Sequence, residues 1–506
     1  MSEAFPLGTV VGVLAGKAEE VTIALERLEQ LAKNAAPETL GVEVRADLLD
    51  SPDAALELLA RLPAGVRALF TIRLERQGGA FRGGDEERLA LFRAALARGA
   101  VLVDVEWSSE AARALSAENA PLIISHHDFD SMFNDTQLEK LTRDATTLSP
   151  RAIKLIPTAR SPRDGLRMLE WVAGATADGP HRIGFAMGEE AFFSRVLAPA
   201  WGAPITYGAL GNAVAPGQAS AADLLELYQV PRLSAETRTL GVIGNPISHS
   251  LSPHMHNAGL AERGIDAVYL PFLLASFDDL KPLVGPLRVD GLSVTIPFKE
   301  DAFRYAAENV EERARRAGAA NTLVFRPDGA GTRSVGGYNT DFDGVLGPLA
   351  RRGISPAGLT TAIIGNGGAS RGAAAALCDA GADVTLYYRN PDRGAPVARD
   401  LGVAGKPLSE LAGNERLIVN ATPLGLKPGD ASPIPEGVFT SDSIAFDMVY
   451  GTAVTPFIQA AQAAGATCIH GKEMLVEQGL VQFELFTGRR CSYETFETGL
   501  LRGATE

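Results

Sequence analysis

A lysine inside an apolar run is the first residue of this sequence that could do chemistry. Lys154 lies between Ile153 and Leu155, and a strand through this run would hold its amine away from water. Loss of solvation disfavours the charged form and lowers the pKa of the amine, which frees it as a nucleophile that can form an imine with a ketone. The alternative is a strand lysine that pairs with Glu43 or Glu106, or one that faces outward.

Polar side chains also stand at the ends of the neighbouring apolar runs. They are Glu43, Arg45, Arg73, Asp104, Glu106, His126, His127 and Asp128. Because the carboxyl ends of parallel barrel strands meet at one face, these side chains could share a site with Lys154. Histidine is the most frequent proton carrier in catalysis, so a histidine one strand away from Lys154 could move protons. A purely structural sheet would more often have solvated turn residues at these positions, and we therefore favour a site.

A second lysine and a carboxylate stand in the other half of the chain. Lys299 lies just past the apolar run 291–298, and Asp341 follows the polar segment 337–340. A lysine and an aspartate from different strand ends make a plausible acid–base pair. A surface salt bridge is the commoner arrangement for two such residues taken alone.

Hydroxyl groups and histidines are concentrated upstream of that pair. Ser250 and Ser252 could both donate hydrogen bonds to a carboxylate. His249, His254 and His256 would allow a metal site, but no acidic or cysteine ligand is near in sequence, and no H-E-x-x-H frame exists. We therefore expect an anion-binding site and no metal.

A glycine-rich turn organises the second half of the chain. A buried-strand pattern at 361–364 leads into Gly365, Gly367 and Gly368 and then into a helix-like run. Glycines allow close backbone approach, and the N–H groups of a helix N-terminus hold an anion such as a nucleotide phosphate. The dinucleotide fingerprint would need a glycine where Ser370 stands, so a plain strand-to-helix turn remains an alternative.

The next strand-like run indicates which nucleotide to expect. Residues 383–389 end in Tyr388 and Arg389, with Arg393 close behind. An acidic residue at this position would bind the ribose 2′-hydroxyl of NAD, whereas an arginine accommodates the 2′-phosphate of NADP. The sequence therefore favours NADP, and the alternative is that Arg389 is a solvated strand end.

The elements that must position Lys154 follow a regular pattern. Eight short apolar runs alternate with helix-like segments through the first half of the chain. Strict alternation predicts a parallel sheet, and eight repeats within ~230 residues match a closed (β/α)8 barrel. An open doubly wound sheet is the runner-up, although residues 12–16 lack a clustered glycine turn. The runs begin at Thr9, Thr39, Val66, Ala100, Pro121, Arg151, His181 and Pro204, and the helical segments are 21–34, 54–61, 86–98, 110–117, 135–144, 162–173, 189–198 and 221–228.

The second half is expected to form further α/β units. A polar segment with a proline at 230–239 predicts a domain boundary. A helix near the C-terminus would carry Gln478 and Gln482 on one face, because four residues separate them. The expected elements are strands at 240–243, 417–421 and 444–449 and a helix at 472–486.

Bulk composition fits a multidomain enzyme. The chain has 506 residues, of which 46% are hydrophobic and 21% charged, and its length suggests about three domains. The formal charge of −14 argues against a nucleic-acid or acidic-membrane partner. Cys378, Cys468 and Cys491 show no C-x-x-C spacing, which indicates a reducing compartment. We see no signal peptide and no membrane-length apolar run, and therefore expect a cytoplasmic protein.

Motifs of the first half together resemble type I 3-dehydroquinate dehydratase over roughly residues 9–228. The motifs are Glu43-Val44-Arg45, Phe70-Thr71-Ile72-Arg73 with Gly78-Gly79, Ser125-His126-His127-Asp128-Phe129, Lys154, Phe193-Ser194-Arg195 and Ala215-Pro216-Gly217-Gln218. The resemblance implies that Lys154 forms a Schiff base with the substrate ketone and that His127 acts as general base and acid. It also implies that Arg195 binds the substrate carboxylate. The residues implied to contact the ring hydroxyls or each other are Glu43, Arg45, Arg73 and Gln218.

One position departs from that family. An acidic residue usually precedes Gly78-Gly79, and here it is Gln77. Any proton-relay or orienting role of the acid is therefore open, and either slower activity or compensation by Glu75 would follow.

Motifs of the second half resemble shikimate dehydrogenase along nearly the whole of residues 239–490. The resemblance implies reversible hydride transfer between NADPH and the ketone of 3-dehydroshikimate, with Lys299 and Asp341 handling the proton at the carbonyl oxygen and with serines binding the carboxylate. Ser293 matches plant-type fused members, whereas bacterial single-function members often have asparagine there. The implied substrate contacts are Ser250, Ser252, Ser293, Thr295, Asn321, Tyr450, Gln478 and Gln482.

The same resemblance implies the cofactor contacts. The turn reads GNGG where GAGG is commoner, a change that a loop position should tolerate. The residues implied to bind NADP are Gly365, Asn366, Gly367, Gly368, Ala369, Tyr388, Arg389, Asn420 and Thr422.

The two resemblances fit one another, because the product of the first reaction is the ketone of the second. We expect a dehydratase barrel at 1–230, a linker at 231–239, a substrate lobe at 240–344 plus 471–506 and a Rossmann-like NADP lobe at 345–470. One half could instead be a domain without activity, or the second half could use quinate. A pure binding module is disfavoured, and a monomer and a homodimer are both open.

Overall fold

A computed structural model describes residues 5–36, 38–212, 218–328, 333–427, 429–450 and 454–504. The chain divides into two compact units. The first contains Met1–Ser248 and Asp266–Val289, and the second contains His249–Ile265 and Asp290–Glu506.

Eight parallel strands form the centre of the first unit. Their β-branched and aliphatic residues are buried on both faces, as expected for strands that are covered by helices outside and packed side chains inside. The strands are β1 Thr9–Leu14, β2 Leu40–Arg45, β3 Arg67–Thr71, β4 Leu102–Glu106, β5 Leu122–His127, β6 Ala152–Ile156, β7 His181–Gly184 and β8 Ile205–Ala209.

The strand order shows that the sheet curls into a barrel. It runs β7-β6-β5-β4-β3-β2-β1-β8, so β1 pairs with both the second and the last strand. An open doubly wound sheet would not bring the first and last strands together, and the barrel prediction is confirmed. Between β7 and β8 the described residues form no ladder, which leaves a seam there. The interior is filled by a cluster that includes Val11, Ile123, Phe185 and Tyr207.

Seven α-helices connect these strands. Two begin with the Ser-Pro pair that favours a helix start, because serine can cap the helix and proline tolerates its first position. The helices are α1 Ala18–Asn34, α2 Pro52–Leu58, α3 Asp85–Ala97, α4 Glu110–Ala117, α5 Asp135–Thr146, α6 Pro162–Ala173 and α7 Phe192–Leu197. Short 3₁₀ turns occupy Ala46–Leu48, Leu59–Arg61, Glu75–Gln77, Glu189–Ala191, Pro199–Trp201 and Val230–Arg232.

The last predicted helix of the barrel differs from its prediction. Residues 221–228 were expected to form an α-helix, and the structure has a π-helix at Asp223–Leu227. The predicted helix 189–198 is likewise split into a 3₁₀ turn and α7. Both differences concern the spacing of the backbone hydrogen bonds along the helix (i to i+3, i+4 or i+5). The spacing of apolar residues does not distinguish these helix types over so few residues.

Four further elements belong to the first unit. Strands β9 Arg238–Gly244 and β10 Ala267–Leu273 pair in parallel, followed by a 3₁₀ turn at Phe277–Leu280 and helix α9 Lys281–Val284. Strand β9 starts at Arg238, inside the segment that the sequence predicted to be a linker. The helix between these strands, α8 Ser252–Arg263, belongs to the second unit.

The second unit has an antiparallel part and a parallel part. Strand β11 Val289–Val294 pairs with β12 Thr322–Pro327, which pairs with β13 Arg333–Tyr338, all antiparallel. Helices α10 Lys299–Ala306, α11 Glu312–Ala317 and α12 Asp341–Arg351 surround them.

The parallel part is a Rossmann-like sheet. Its strand order, β16-β15-β14-β17-β18-β19, is the doubly wound order 3-2-1-4-5-6, in which a dinucleotide binds where the order reverses. That point lies between β14 and β17. Its strands are β14 Thr360–Ile364, β15 Asp383–Tyr388, β16 Ala404–Pro407, β17 Leu417–Asn420, β18 Ile444–Asp447 and β19 Thr467–Ile469.

Helices cover both faces of this sheet, and two more follow it. Ile363 and Ala362 belong to separate buried clusters, as the alternation of side chains along a strand requires. The helices are α13 Gly368–Asp379, α14 Pro391–Leu401, α15 Pro456–Ala463, α16 Gly471–Thr487 and α17 Tyr493–Gly503, with a 3₁₀ turn at Leu408–Glu410.

Candidate active sites

Lys154 lies in the middle of β6 with its side chain in the barrel interior. Its Nζ donates to Asp104 Oδ2 at 2.9 Å and lies 3.6 Å from Glu43 Oε1. The same nitrogen is 3.9 Å from the centre of the Tyr207 ring, and only 4% of the side chain is exposed. Lys154 therefore faces inward, and Asp104 rather than Glu43 or Glu106 is its nearest carboxylate.

Asp104 joins the polar groups of the barrel interior. Its carboxylate accepts hydrogen bonds from Lys154 at 2.9 Å, from Arg73 at 3.2 Å and from Ser125. Burial alone would raise the pKa of Asp104, but the charges of Lys154 and Arg73 and the Ser125 hydrogen bond outweigh it and lower the pKa to about 2. Asp104 is thus an anion that holds two cations in place.

His127 ends β5 beside these groups. Its ring contacts the Arg73 guanidinium, and because arginine only donates, the imidazole must accept and hence be neutral. Burial, followed by the positive charges of Arg73 and Lys154, holds the pKa of His127 well below its usual 6.5. His126 stacks on Phe133 instead, so the two adjacent histidines have different surroundings.

Gln77 holds the backbone of His127. Its Oε1 accepts the His127 N–H at 2.9 Å, which is an orienting contact that a neutral amide can make as well as a carboxylate. Glu75 pairs with Arg82 at 2.8 Å and is largely exposed. Gln77 thus contacts the segment that carries His127, whereas Glu75 forms its ion pair with Arg82.

The other predicted barrel residues have distinct partners. Arg45 donates to Asp47 at 2.7 and 2.9 Å, and Glu43 accepts from Thr71 at 2.7 Å. Gln218 is half-buried, and residues 215–217 of its motif lie outside the described residues.

Arg195 is a buried cation without a carboxylate partner in the part of the chain that the structure describes. Its guanidinium donates to the Tyr207 carbonyl at 3.1 Å and lies 4.1 Å from the Phe185 ring centre. Burial lowers the pKa of Arg195 to about 9. A buried guanidinium of this kind is well suited to a bound carboxylate.

A buried ion pair holds the backbone on either side of Arg73. Arg88 on α3 pairs with Glu106 at the end of β4 and donates to the Ile72 carbonyl at 2.8 and 2.9 Å. Glu106 accepts the Leu74 N–H at 2.8 Å. Arg88 and Glu106 therefore hold the residues on both sides of Arg73.

In the second unit, Lys299 and Asp341 are brought together. Lys299 begins α10, Asp341 begins α12, and Nζ donates to Oδ2 at 2.6 Å. Their side chains are 34% and 22% exposed, so the pair is reachable from solvent. The structure therefore brings together the lysine and the aspartate that the sequence singled out as a plausible acid–base pair.

A hydrogen-bond network of amide side chains lies next to that pair. Asn321 donates to Asp341 Oδ1 at 2.9 Å and to Thr340 Oγ1 at 3.1 Å. On α16, Gln478 Oε1 lies 3.4 Å from Asn321 Nδ2. Gln482 donates to the Asn321 carbonyl at 3.1 Å. The network fixes Asp341 and joins α16 to the strands that carry the site.

Ser293 connects to the same network, since its hydroxyl donates to Gln482 Oε1 at 2.7 Å. Ser250 accepts the Ser252 N–H at 3.3 Å, and Ser252 is the first residue of α8. Thr295 is half-buried, whereas Tyr450 is 44% exposed. Of the three upstream histidines, His256 is buried among Phe483, Phe486 and Phe496.

The glycine turn has the features that a bound dinucleotide requires. Gly365 follows β14 with φ +120°, and a Cβ there would lie 2.8 Å from Ser370 Oγ and 3.1 Å from the Ala421 carbonyl oxygen. Around Gly367 and Gly368 a Cβ would meet nothing within 4 Å. These two exposed glycines stand at the N-terminus of α13, beside Asn366 and Ala369. The residues therefore fit a phosphate-bearing cofactor.

A cavity of about 330 Å³ lies along this turn. Arg389 and Arg393 line it, and both are exposed and without an ion-pair partner among the residues the structure describes. Two free guanidinium groups fit the 2′-phosphate of NADP. The other residues around the cavity include Tyr387, Tyr388, Asn390, Leu408, Thr422 and Pro433.

Asn420 is buried, and the residues that follow it in the chain line the cavity. It donates to Asp447 at 2.9 Å and to the Leu424 carbonyl at 3.2 Å. Its own oxygen accepts the Thr422 hydroxyl at 2.7 Å. Asn420 thus shapes the loop, and Thr422 is the member of the predicted pair that lines the cavity.

Sequence reasoning missed several partners of the predicted residues. Asp104, Asp47, Thr71, Ser125 and Tyr207 all contact a predicted site residue or its direct partner. Asp104 had been noted as a strand-end residue, which was the available signal. Thr71 and Ser125 lie inside motifs quoted for the resemblance, although no role was assigned to them. For Asp47 and Tyr207 no signal existed, because their contacts depend on the barrel register.

The fold and the two sites define an enzyme that joins a lysine-containing (β/α)8 barrel to a dinucleotide-binding dehydrogenase unit. A family model of type I 3-dehydroquinase matches residues 19–234. The shikimate dehydrogenase substrate binding domain matches 242–323, and the shikimate 5′-dehydrogenase C-terminal domain matches 471–498. The chain belongs to the family of bifunctional 3-dehydroquinate dehydratase/shikimate dehydrogenases.

One named relative aligns with both halves of the chain, and another aligns with about half of it. The chain is 29% identical over 481 residues to the chloroplastic bifunctional 3-dehydroquinate dehydratase/shikimate dehydrogenase of Arabidopsis thaliana, which covers 90% of this chain and 79% of that protein. It is 40% identical over 268 residues to the shikimate dehydrogenase (NADP(+)) of Halorubrum lacusprofundi, covering 51% of this chain and 97% of that protein.

Solved structures were also matched. The shikimate 5-dehydrogenase of Thermus thermophilus, in complex with NADP(H) and shikimate, is 34% identical with a TM-score of 0.48, covering 53% of this chain and 100% of that chain.

None of the described helices has the length and apolar character that crossing a membrane needs.

Proposed function

We propose that this chain catalyses two consecutive reactions of the shikimate pathway. The barrel dehydrates 3-dehydroquinate to 3-dehydroshikimate, and the second unit reduces that ketone to shikimate with NADPH. The observation that carries the proposal is the buried Lys154 amine, 2.9 Å from Asp104 Oδ2, inside a barrel that the type I 3-dehydroquinase model matches.

Dehydration begins at Lys154. Lys154 first passes one ammonium proton to neutral His127. Its amine then adds to the ring ketone, a C–N bond forms, and the carbonyl oxygen leaves as water with one proton from the nitrogen and the one that His127 held. The iminium withdraws electrons from the adjacent C–H bond, and neutral His127 takes that proton. The electron pair then expels the hydroxyl group of the next carbon as water, with the proton that His127 returns. Hydrolysis of the imine releases 3-dehydroshikimate and restores the amine.

The remaining barrel residues bind the substrate in this proposal. Arg195 pairs with the carboxylate, which gives its buried guanidinium the anion that the described protein residues do not supply. Arg73 also keeps His127 neutral, because a second positive charge beside a guanidinium is unfavourable. The residues that we assign to the ring hydroxyl groups, directly or through each other, are Glu43, Arg45, Arg73 and Gln218.

Reduction takes place at Lys299 and Asp341. Lys299 gives a proton to the carbonyl oxygen, and Asp341, held by Asn321, keeps the ammonium group in position. When bound at the glycine turn, NADPH supplies the hydride equivalent. Gly365, Asn366, Gly367, Gly368, Ala369, Tyr388, Arg389, Asn420 and Thr422 form that cofactor site, and Ser250, Ser252, Ser293, Thr295, Asn321, Tyr450, Gln478 and Gln482 form the substrate site.

We further propose functional boundaries that follow the two activities. The dehydratase occupies 1–230, the linker 231–239, the substrate lobe 240–344 with 471–506, and the NADP lobe 345–470. The three cysteines are free thiols, which supports a reducing compartment such as the cytoplasm.

Trapping with borohydride tests the Schiff base. We expect borohydride added with 3-dehydroquinate to attach the ligand mass to Lys154, because reduction of the imine makes the C–N bond permanent. Peptide mass spectrometry locates the adduct. Lys140→Ala, on the exposed face of α5, is the control and should still form it. An adduct on another lysine, or no adduct, contradicts the proposal.

A further inference from the structure

Tyr207 on β8 has a hydroxyl group that no described residue of the barrel satisfies. The residue is 3% exposed and belongs to the cluster that fills the barrel interior. Among the residues the structure describes, its Oη has no hydrogen-bond partner. A buried hydroxyl without a partner is unfavourable, and phenylalanine would pack in the same space without it.

The surroundings of Tyr207 place it at the reacting nitrogen. Lys154 Nζ lies over the ring, 3.9 Å from its centre, and the hydroxyl is one bond beyond that ring. Arg195 donates to the Tyr207 carbonyl at 3.1 Å. The residue thus contacts the nucleophile with its ring and, through its backbone, the cation that we assign to the substrate carboxylate.

The hydroxyl stays protonated. Burial, and then the negative charges of Glu43 and Asp104, raise the pKa of Tyr207 well above its usual 10. A neutral phenol next to an oxygen-bearing ligand acts as a hydrogen-bond donor.

We infer that Tyr207 is a further catalytic residue of the dehydratase, whose hydroxyl donates a hydrogen bond to the oxygen of the lysine–substrate adduct. The inference rests on the proposed Schiff base at Lys154. The acceptor of this hydrogen bond is the former ketone oxygen of the substrate. That oxygen is two bonds from Nζ once the C–N bond has formed.

The chemistry of that step balances without a co-reactant. When the amine adds to the ketone, the C–N bond forms, the C=O double bond becomes a C–O single bond, and a proton moves from nitrogen to oxygen. When the adduct collapses, the C–O bond breaks and the nitrogen lone pair forms C=N. Water leaves with a second proton, the one that the Lys154 ammonium gave to His127 before the amine attacked. Tyr207 keeps its own proton and stabilises the charge that develops on the departing oxygen. The ring face next to Nζ favours the cationic product.

Tyr207→Phe tests the inference, because it removes the hydroxyl and keeps the ring. We expect the single-turnover rate of borohydride-trappable adduct formation and the kcat for 3-dehydroquinate to fall about tenfold, as loss of one hydrogen bond of about 1.4 kcal/mol implies. The KM should stay within about twofold, since the contact forms after the C–N bond. The melting temperature of the barrel should not fall. Tyr269→Phe, a buried tyrosine of β10, is the matched control and should leave the rates unchanged.

The outcomes separate this inference from the proposed function. If wild-type protein forms no adduct at Lys154, the proposed function fails. If wild-type protein forms it and Tyr207→Phe forms it within twofold of the same rate, only the role of Tyr207 is overturned. A slower rate together with a lower melting temperature, or an equal loss in Tyr269→Phe, also overturns it, because the hydroxyl would then act through packing.

Discussion

At the level of single residues, the role that we propose for His127 requires a neutral imidazole. Burial lowers the pKa of His127, and so do the positive charges of Arg73, Lys154, Arg45 and His126. The unfolded chain returns this pKa to about 6.5. Below that pH the unfolded state binds the proton and the folded state does not, so stability falls as the solution is acidified.

This linkage gives a pH-dependent prediction. The free energy of unfolding of wild-type protein should fall relative to His127→Asn by up to about 1.4 kcal/mol per pH unit below pH 6.5. Above that pH the difference should be constant. Urea titrations followed by tryptophan fluorescence measure it, since Trp107, Trp171 and Trp201 all belong to the barrel unit. A difference that does not change between pH 7.5 and pH 5 would contradict the neutral imidazole.

Gln77 provides a second prediction at this scale. Gln77→Leu should lower dehydratase kcat about tenfold, because the His127 N–H loses the acceptor that orients it. Gln77→Glu keeps an acceptor and should retain activity, with its acid limb moved to higher pH by the added negative charge. The measurement is the pH profile of kcat for each variant. Glu75→Gln, which alters the exposed pair with Arg82, is the control, and an effect as large as that of Gln77→Leu would refute the assignment.

At the scale of elements, the pair of Arg88 and Glu106 fixes the end of β3. Its removal should be costly because both side chains are buried. Arg88→Met leaves the Glu106 charge without its partner and should destabilise the barrel by roughly 3–5 kcal/mol. Dehydratase activity should also fall as Arg73 loses its support.

Chemical denaturation of wild-type protein and three variants checks this expectation. The double variant Arg88→Met with Glu106→Gln should recover part of the stability, since no buried charge remains. Arg93→Met, on the same helix with an exposed pair to Glu118, should unfold as wild type does. Equal stability of Arg88→Met and wild type would show that the pair is not structural.

The turn after β14 yields another prediction. Gly365 has a φ of +120°, and the Cβ added in Gly365→Ala would lie 2.8 Å from Ser370 Oγ. The substitution should therefore distort the turn and strongly weaken NADPH binding. Gly372→Ala in α13 has no neighbour within 4 Å and should preserve binding. Fluorescence titration with NADPH measures both, and dehydratase activity should persist in each. Unchanged affinity in Gly365→Ala would refute the cofactor turn.

The sequence predicted those elements whose signal lies within a few neighbouring residues. Alternating apolar runs gave the eight strands, and the glycines at 365–368 gave the cofactor turn, because both signals lie within a few residues. The π-helix at Asp223–Leu227 was not predicted, since apolar spacing does not distinguish hydrogen-bond pitch. The Lys154–Asp104 contact joins residues fifty positions apart, and only strand register brings them together.

In the molecule as a whole, we propose that one chain holds two separate lysine-dependent sites that act on the same ring. Lys154 lies in the first compact unit and Lys299 in the second. Each lysine contacts an aspartate of its own unit. Loss of one lysine should therefore leave the other activity intact.

A coupled assay with 3-dehydroquinate and NADPH tests this claim most directly. Wild-type protein should oxidise one NADPH for each 3-dehydroquinate consumed. Lys154→Ala should stop that oxidation and still reduce added 3-dehydroshikimate, whereas Lys299→Ala should accumulate 3-dehydroshikimate without oxidising NADPH. If wild-type protein oxidises no NADPH from 3-dehydroquinate, or if Lys154→Ala oxidises it at the wild-type rate, the account is contradicted.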